Sequence, residues 1–184
     1  MRKKLMKTAL VVISLTIFAT TVLLAEPLFQ APVLISSAGQ SADVKLVGML
    51  AKRAQIENIV ELIATEKNLD GIKTLIVVPG FSSKGLGAAG VSAADEINRV
   101  KALLAAANEQ NIPVVLVHIG GNARRYGQSD QFIEEVAQYA KAMIVVEQGN
   151  EDQLFTKIAS EKNIPLTLVP KIVAAGEPLK NFFK

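Results

Sequence analysis

Apolar positions along this chain follow two rhythms. Six short runs are rich in apolar and β-branched residues: Val33–Ser36, Ile59–Ile63, Thr74–Val78, Val114–His118, Met143–Val146 and Leu166–Val169. Three of them are continuously apolar, the pattern of strands covered on both faces. Between the runs, apolar residues return at helical spacing. In the longest such stretch Ile97, Val100, Leu104 and Ala107 share a face, and Asn98, Arg99, Lys101 and Asn108 fall largely off it. Ser92 followed by Asp95 has the pattern of a capping box, and Ser41, Ser129 and Asn150 are expected to cap other helices. Pro113 and Pro165 stand just before strands, where a missing N–H costs no ladder bond. Strand and helix therefore alternate. That predicts a three-layer, doubly wound α/β domain with a mostly parallel sheet, flavodoxin-like or Rossmann-like.

The first residues break this pattern. Met1–Ala25 opens with Arg2, Lys3, Lys4 and Lys7 and is then apolar from Ala9 to Ala25. A basic cap, an apolar stretch and a small residue before a polar turn make an export signal. Two features temper it. Cleavage after Ala25 would put Leu23 at the position where a small residue is preferred, and the apolar run is long for a signal yet short for a spanning helix. The segment is thus expected to be either a cleaved signal peptide or a retained membrane anchor. Either way Glu26–Lys184 forms a single domain working outside the cytoplasm, secreted or in the cell envelope, with the membrane as a partner only if the anchor is kept.

Charge reads differently once this segment is set aside. The chain has 20 Lys and Arg against 17 Asp and Glu. Four of the basic residues precede Ala25, so sixteen face seventeen in the remainder, a net of −1. No basic surplus remains to bind nucleic acid. The chain has no cysteine, which excludes disulfides, thiolate metal sites and lipid attachment at a lipobox.

In a parallel sheet, ligands bind beyond the carboxyl ends of the strands, where strand order reverses. Three loops are expected at that edge. The first, Ser36-Ser37-Ala38-Gly39-Gln40-Ser41, places hydroxyls around a glycine before a helix N-terminus, a setting for an anion or simply for a turn. Its spacing loosely resembles the phosphate loop of flavodoxins. The second runs from Pro79 to Gly90 and contains Ser82, Ser83, Lys84 and the literal G-x-G-x-x-G of Gly85 to Gly90. A dinucleotide fingerprint needs its glycines at the junction of strand and helix, with an acidic residue some 20 positions on. Neither condition holds, so no dinucleotide and no other cofactor is expected. The glycines instead predict a flexible flap that carries Lys84. The third loop, Gly120 to Gly127, holds Gly121, Arg124 and Arg125, and one of these arginines is expected to meet a carboxylate or phosphate.

His118 is the only histidine and ends the fourth run. It is a candidate general base or acid, and equally a packed core residue. Ser36, Ser82 or Ser83 could act as a nucleophile beside it with Asp43 as orienter, but no G-x-S-x-G elbow marks one. A single histidine and the lack of a tight carboxylate cluster leave no metal site, and Glu134 with Glu135 reads as solvated helix surface.

From Ala31 onward the chain resembles a small uncharacterised bacterial family of exported α/β domains, a domain of unknown function. The residues that carry the resemblance are Pro32 to Asp43, Ser83 to Gly90, His118 to Gly121 with Arg124-Arg125, and Gly176 to Lys180. It implies a single exported domain and carries over no catalytic residue. The leading expectation is a module that binds a small anionic ligand through Ser36, Ser37, Gly39, Gln40, Ser41, Ser83, Lys84, Gly120, Gly121, Arg124 and Arg125. A hydrolase or transferase using His118, and a structural or interaction domain without ligand, are the alternatives. Whether the chain is an enzyme, and which protein partners it has, stay open.

Overall fold

The computed structural model describes residues 28–183. The basic and apolar segment Met1–Ala25 lies outside them. Among the described residues no helix is long and apolar enough to cross a membrane.

Six strands form one all-parallel sheet: β1 Val33–Ala38, β2 Asn58–Val60, β3 Thr74–Pro79, β4 Val114–His118, β5 Ala140–Val146 and β6 Leu166–Val169. Each overlaps a predicted run. The helices are α1 Asp43–Arg53, α2 Ser83–Ala89, α3 Ala93–Glu109, α4 Gln128–Ala137, α5 Leu154–Lys162 and α6 Gly176–Phe182. The strand order is β2-β1-β3-β4-β5-β6. This is the flavodoxin-like order extended by a sixth strand, so the chain reverses direction between β1 and β3.

The central strands are apolar throughout because both faces are covered. Along β1, β3 and β4, Leu34, Leu75, Val77, Val114 and Leu116 enter a core beneath α3, α4 and α5, where Val100, Leu104, Ile133 and Phe155 meet them. Their neighbours Val33, Ile35, Ile76, Val78, Val115 and Val117 enter the opposite core, with Val44, Val47 and Leu50 of α1 and Leu179 and Phe182 of α6. The edge strand β2 is partly exposed and stops at Val60. Leu62 and Ile63, expected in that strand, lie beyond it. Pro113 and Pro165 keep their carbonyls in the ladder, accepting from Leu75 N and Met143 N at 3.0 and 2.9 Å.

The helix starts follow local chemistry, with three departures from expectation. Ser92 and Asp95 form the predicted capping box on α3. Asn150 does not cap α5 by position; Gln153 does, and Asn150 Oδ1 accepts from Phe155 N and Thr156 N in the first turn. Ser41 does not cap α1 by position; Ala42 does, and Ser41 Oγ accepts from Asp43 N at 3.2 Å. Ser129 lies inside α4, and its hydroxyl accepts from Phe81 N at 3.1 Å instead.

The segment expected to be a flap is helical. Ser82 Oγ accepts from Gly85 N and caps α2, and Gly90 ends that helix in the left-handed conformation at φ 68°. Gly85 is required by contact rather than by motion. A Cβ there would lie 2.1 Å from Gln40 O. The G-x-G-x-x-G thus belongs to a short helix seated against the end of β1.

Candidate functional site

The carboxyl end of β1 is built around a buried charge that the sequence reading did not single out. Gly39 takes a φ of 99°, and its N–H donates to Glu96 Oε1 at 2.9 Å. Gln40 Nε2 donates to the same oxygen at 2.9 Å. Glu96 projects from α3 and is 1 % exposed. Arg99, expected off the buried face, pairs with it through Nε and Nη2 at 2.9 and 2.8 Å. The same guanidinium donates to Ala64 O and Ser37 O at 2.6 Å each. One ion pair thereby ties together α3, the end of β1 and the segment after β2.

This arrangement ties the first loop to the protein interior at Gly39. Gly39 N meets Glu96, Asp43 N meets Ser41 Oγ, and Gly80 N and Ser82 N on the neighbouring loop donate to Ala38 O and Gly39 O. Glu96 is an internal carboxylate sitting where a phosphate loop would hold its ligand. Ser36, Ser37 and Ser41 are buried, and Ser36 Oγ lies 3.4 Å from Leu62 O.

On the third loop the two arginines part company. Arg125 is buried, and its guanidinium is saturated: Nε and Nη2 donate to Asp130, Nη1 and Nη2 to Asp152, and Nη1 also to Gly149 O. Burial opposes its charge, but the hydrogen bonds to Asp152 and Asp130 outweigh this and hold its pKa above the ordinary value. The Arg125 hydrogen bond in turn holds Asp152 below the usual carboxylate range. Arg125 is therefore a fixture between the β4–α4 and β5–α5 connections, with no N–H left for a ligand. Arg124 is different. Its stem lies against Gly120, Nη1 donates to Phe81 O at 3.2 Å, and Nε stands 3.8 Å from Asp43 Oδ2. Among the described residues its Nη2 has no partner.

His118 is fully buried against Phe155, with ring centroids 5.1 Å apart. Its Nδ1 and Nε2 lie 3.3 Å from Pro79 O and Gly121 O. Burial holds the imidazole below its ordinary value, while the two carbonyls pull the other way. Neither nitrogen faces a serine hydroxyl or an open space, so the geometry gives the candidate general base no substrate to reach. Ser82 is committed to its cap, and Ser83 is exposed outside the cleft.

Above these buried elements a cleft of about 580 Å³ opens at the β1/β3 reversal. Its cations are Lys45 of α1, Lys84 of α2 and Arg124; its apolar wall is Leu62, Ile63, Ala88 and Ala89; Gln40 and Ser82 lie between. No carboxylate lines it. Of the predicted residues, Gln40, Lys84 and Arg124 meet here. Gly39 and Gly120 support the loops beneath, while Gly121, Ser83 and Arg125 lie elsewhere. Lys45, Leu62 and Ile63 escaped the sequence reading, since Lys45 looks like any solvated helix lysine and the other two read as strand. A second cleft, about 460 Å³ between α1 and α6, is far from the strand ends and mixes Arg53 and Lys180 with Glu177.

These features define a doubly wound α/β domain with a cationic cleft at its strand-order reversal. The chain belongs to the family described as Domain of unknown function (DUF6305), whose model matches residues 30–183. No curated protein matches it. Solved structures of AlinE4, an SGNH-hydrolase family esterase, and of two of its mutants are similar at 14% identity and a TM-score of 0.30, covering 78% of this chain and 76% of that one. A likeness of that size carries no activity and no catalytic residue to this chain.

Proposed function

We propose that this domain binds a small anionic ligand in the cleft between α1, α2 and the Gly120–Arg124 turn. The observation that carries this reading is the lining itself: Lys45, Lys84 and Arg124 converge on one opening, and no acidic side chain shares it. Lys45 and Lys84 form no ion pair among the described residues, and Asp43 reaches only the Nε side of Arg124. Unbalanced cations beside a concave, partly apolar wall favour an anion of small-molecule size. The place also suits the reading, because open parallel sheets bind ligands at the strand-order reversal. We further infer from the Met1–Ala25 pattern that the domain acts outside the cytoplasm.

A thermal-shift screen of carboxylates, phosphates and nucleotides on the purified chain tests the binding. A ligand present at 100 times its Kd should add about 2.7 kcal/mol of stability. Lys84→Gln and Arg124→Ala should each reduce the shift at fixed ligand concentration. If no anion raises the melting temperature, or both variants respond as the parent does, the reading falls.

A further inference from the structure

Three features at the cleft point to the ligand's chemistry, on the premise that the cleft binds an anion. First, four backbone amides beneath the cleft, at the ends of β1 and β3, are already bonded within the protein. Gly39 N is bonded to Glu96, Gly80 N to Ala38 O, Phe81 N to Ser129 Oγ and Ser82 N to Gly39 O. Phosphate sites in folds of this kind draw on free loop and helix amides. These four are bonded internally, and the lining offers Lys45, Lys84 and Arg124 to meet the charge. Second, those side chains suit two oxygens better than a full phosphate shell. Arg124 has Nη2 unpartnered among the described residues, and an ammonium stands on each flanking helix, Lys45 and Lys84. A guanidinium edge and one ammonium satisfy a carboxylate. Third, the opposite wall is apolar. Leu62, Ile63, Ala88 and Ala89 line it, and Ile63 remains 37 % exposed although it is a large aliphatic side chain.

We propose that the ligand is a monocarboxylate bearing an apolar tail, its carboxylate held by Arg124 with Lys45 or Lys84, its tail lying on Leu62, Ile63 and the alanine face of α2. The cleft, at about 580 Å³, lies within the range that small-molecule sites occupy. No carboxylate in the lining balances an ammonium, so an amino acid fits less well than a simple fatty or aryl acid.

The test is calorimetric titration of the chain with acetate, butanoate, hexanoate and octanoate, with inorganic phosphate, AMP and octan-1-ol in parallel. Each added methylene that leaves water should tighten binding up to about fourfold. Octanoate should bind more tightly than phosphate, AMP or the uncharged alcohol. Ala88→Trp, at an exposed position on α2, should weaken octanoate more than acetate, whereas Lys84→Gln should weaken both alike. Affinity that ignores tail length, or phosphate or AMP outbinding octanoate, overturns the tailed carboxylate and leaves anion binding standing. Octan-1-ol matching octanoate overturns the role given to the cations. Failure of every anion to bind removes both this proposal and the reading beneath it.

Discussion

His118 faces two acceptors and no donor, and this has a measurable consequence. A neutral imidazole carries one N–H, so only one of the two carbonyls, Pro79 O or Gly121 O, receives a hydrogen bond. Protonation would satisfy both, but full burial penalises the charge, and the net effect is a lowered pKa. The folded chain therefore holds this proton less tightly than the unfolded chain, whose imidazole titrates near 6.5. The stability contributed by neutral His118 is present above that value and is lost as pH falls through it toward the lower folded-state pKa. Because His118 is the only histidine, no other histidine contributes in this window. Urea unfolding from about pH 7.5 to 5.5 should show the decline, and His118→Gln should flatten it. An unchanged slope in that variant would assign the effect to another group. Asp152 behaves oppositely in position, not in sign: its lowered pKa stabilises above the ordinary carboxylate value, and that part is lost only in stronger acid.

At the scale of elements, α2 and the Glu96–Arg99 pair show where pattern reading stops. The strands were legible because β1, β3 and β4 bury every residue, and their runs of Val, Leu and Ile announce that directly. The glycine-rich segment was not. Its four glycines read as freedom, whereas Ser82 caps a helix and Gly85 permits close contact with Gln40 O. Two substitutions separate the readings. Gly85→Ala forces a Cβ against a backbone oxygen and should cost about 1–3 kcal/mol. Gly87→Ala meets nothing within 4 Å and should stabilise by about 0.5–1 kcal/mol. A mobile flap would leave chemical denaturation unchanged in both. The ion pair escaped notice because acid and base three apart on a helix look the same in sequence whether solvated or buried. Glu96→Ala should cost about 3–5 kcal/mol, since it strands a largely buried guanidinium and frees Gly39 N and Gln40 Nε2. A loss below 1 kcal/mol, measured by urea unfolding, would place the pair with ordinary surface salt bridges.

For the molecule as a whole, topology did more than motif to locate the cleft. The alternation of strands and helices implied a parallel sheet, and the observed order puts the reversal between β1 and β3, where the loops after them part. Gln40, Lys84 and Arg124 were visible from loop position. Lys45, Leu62 and Ile63 were not, because their place depends on where β2 ends and how α1 turns. Arg124 and Arg125 are adjacent in sequence, yet one faces the cleft and the other is locked between Asp130 and Asp152. No spacing rule distinguishes them. The most direct check of the central claim is amide chemical-shift mapping of the chain during titration with octanoate. Anion binding at the reversal predicts saturable shifts centred on Gln40, Lys45, Leu62, Ile63, Arg124 and the Ser82–Ala89 helix, with α6 unaffected. Shifts confined to the α1–α6 face, or none at millimolar ligand, would contradict it.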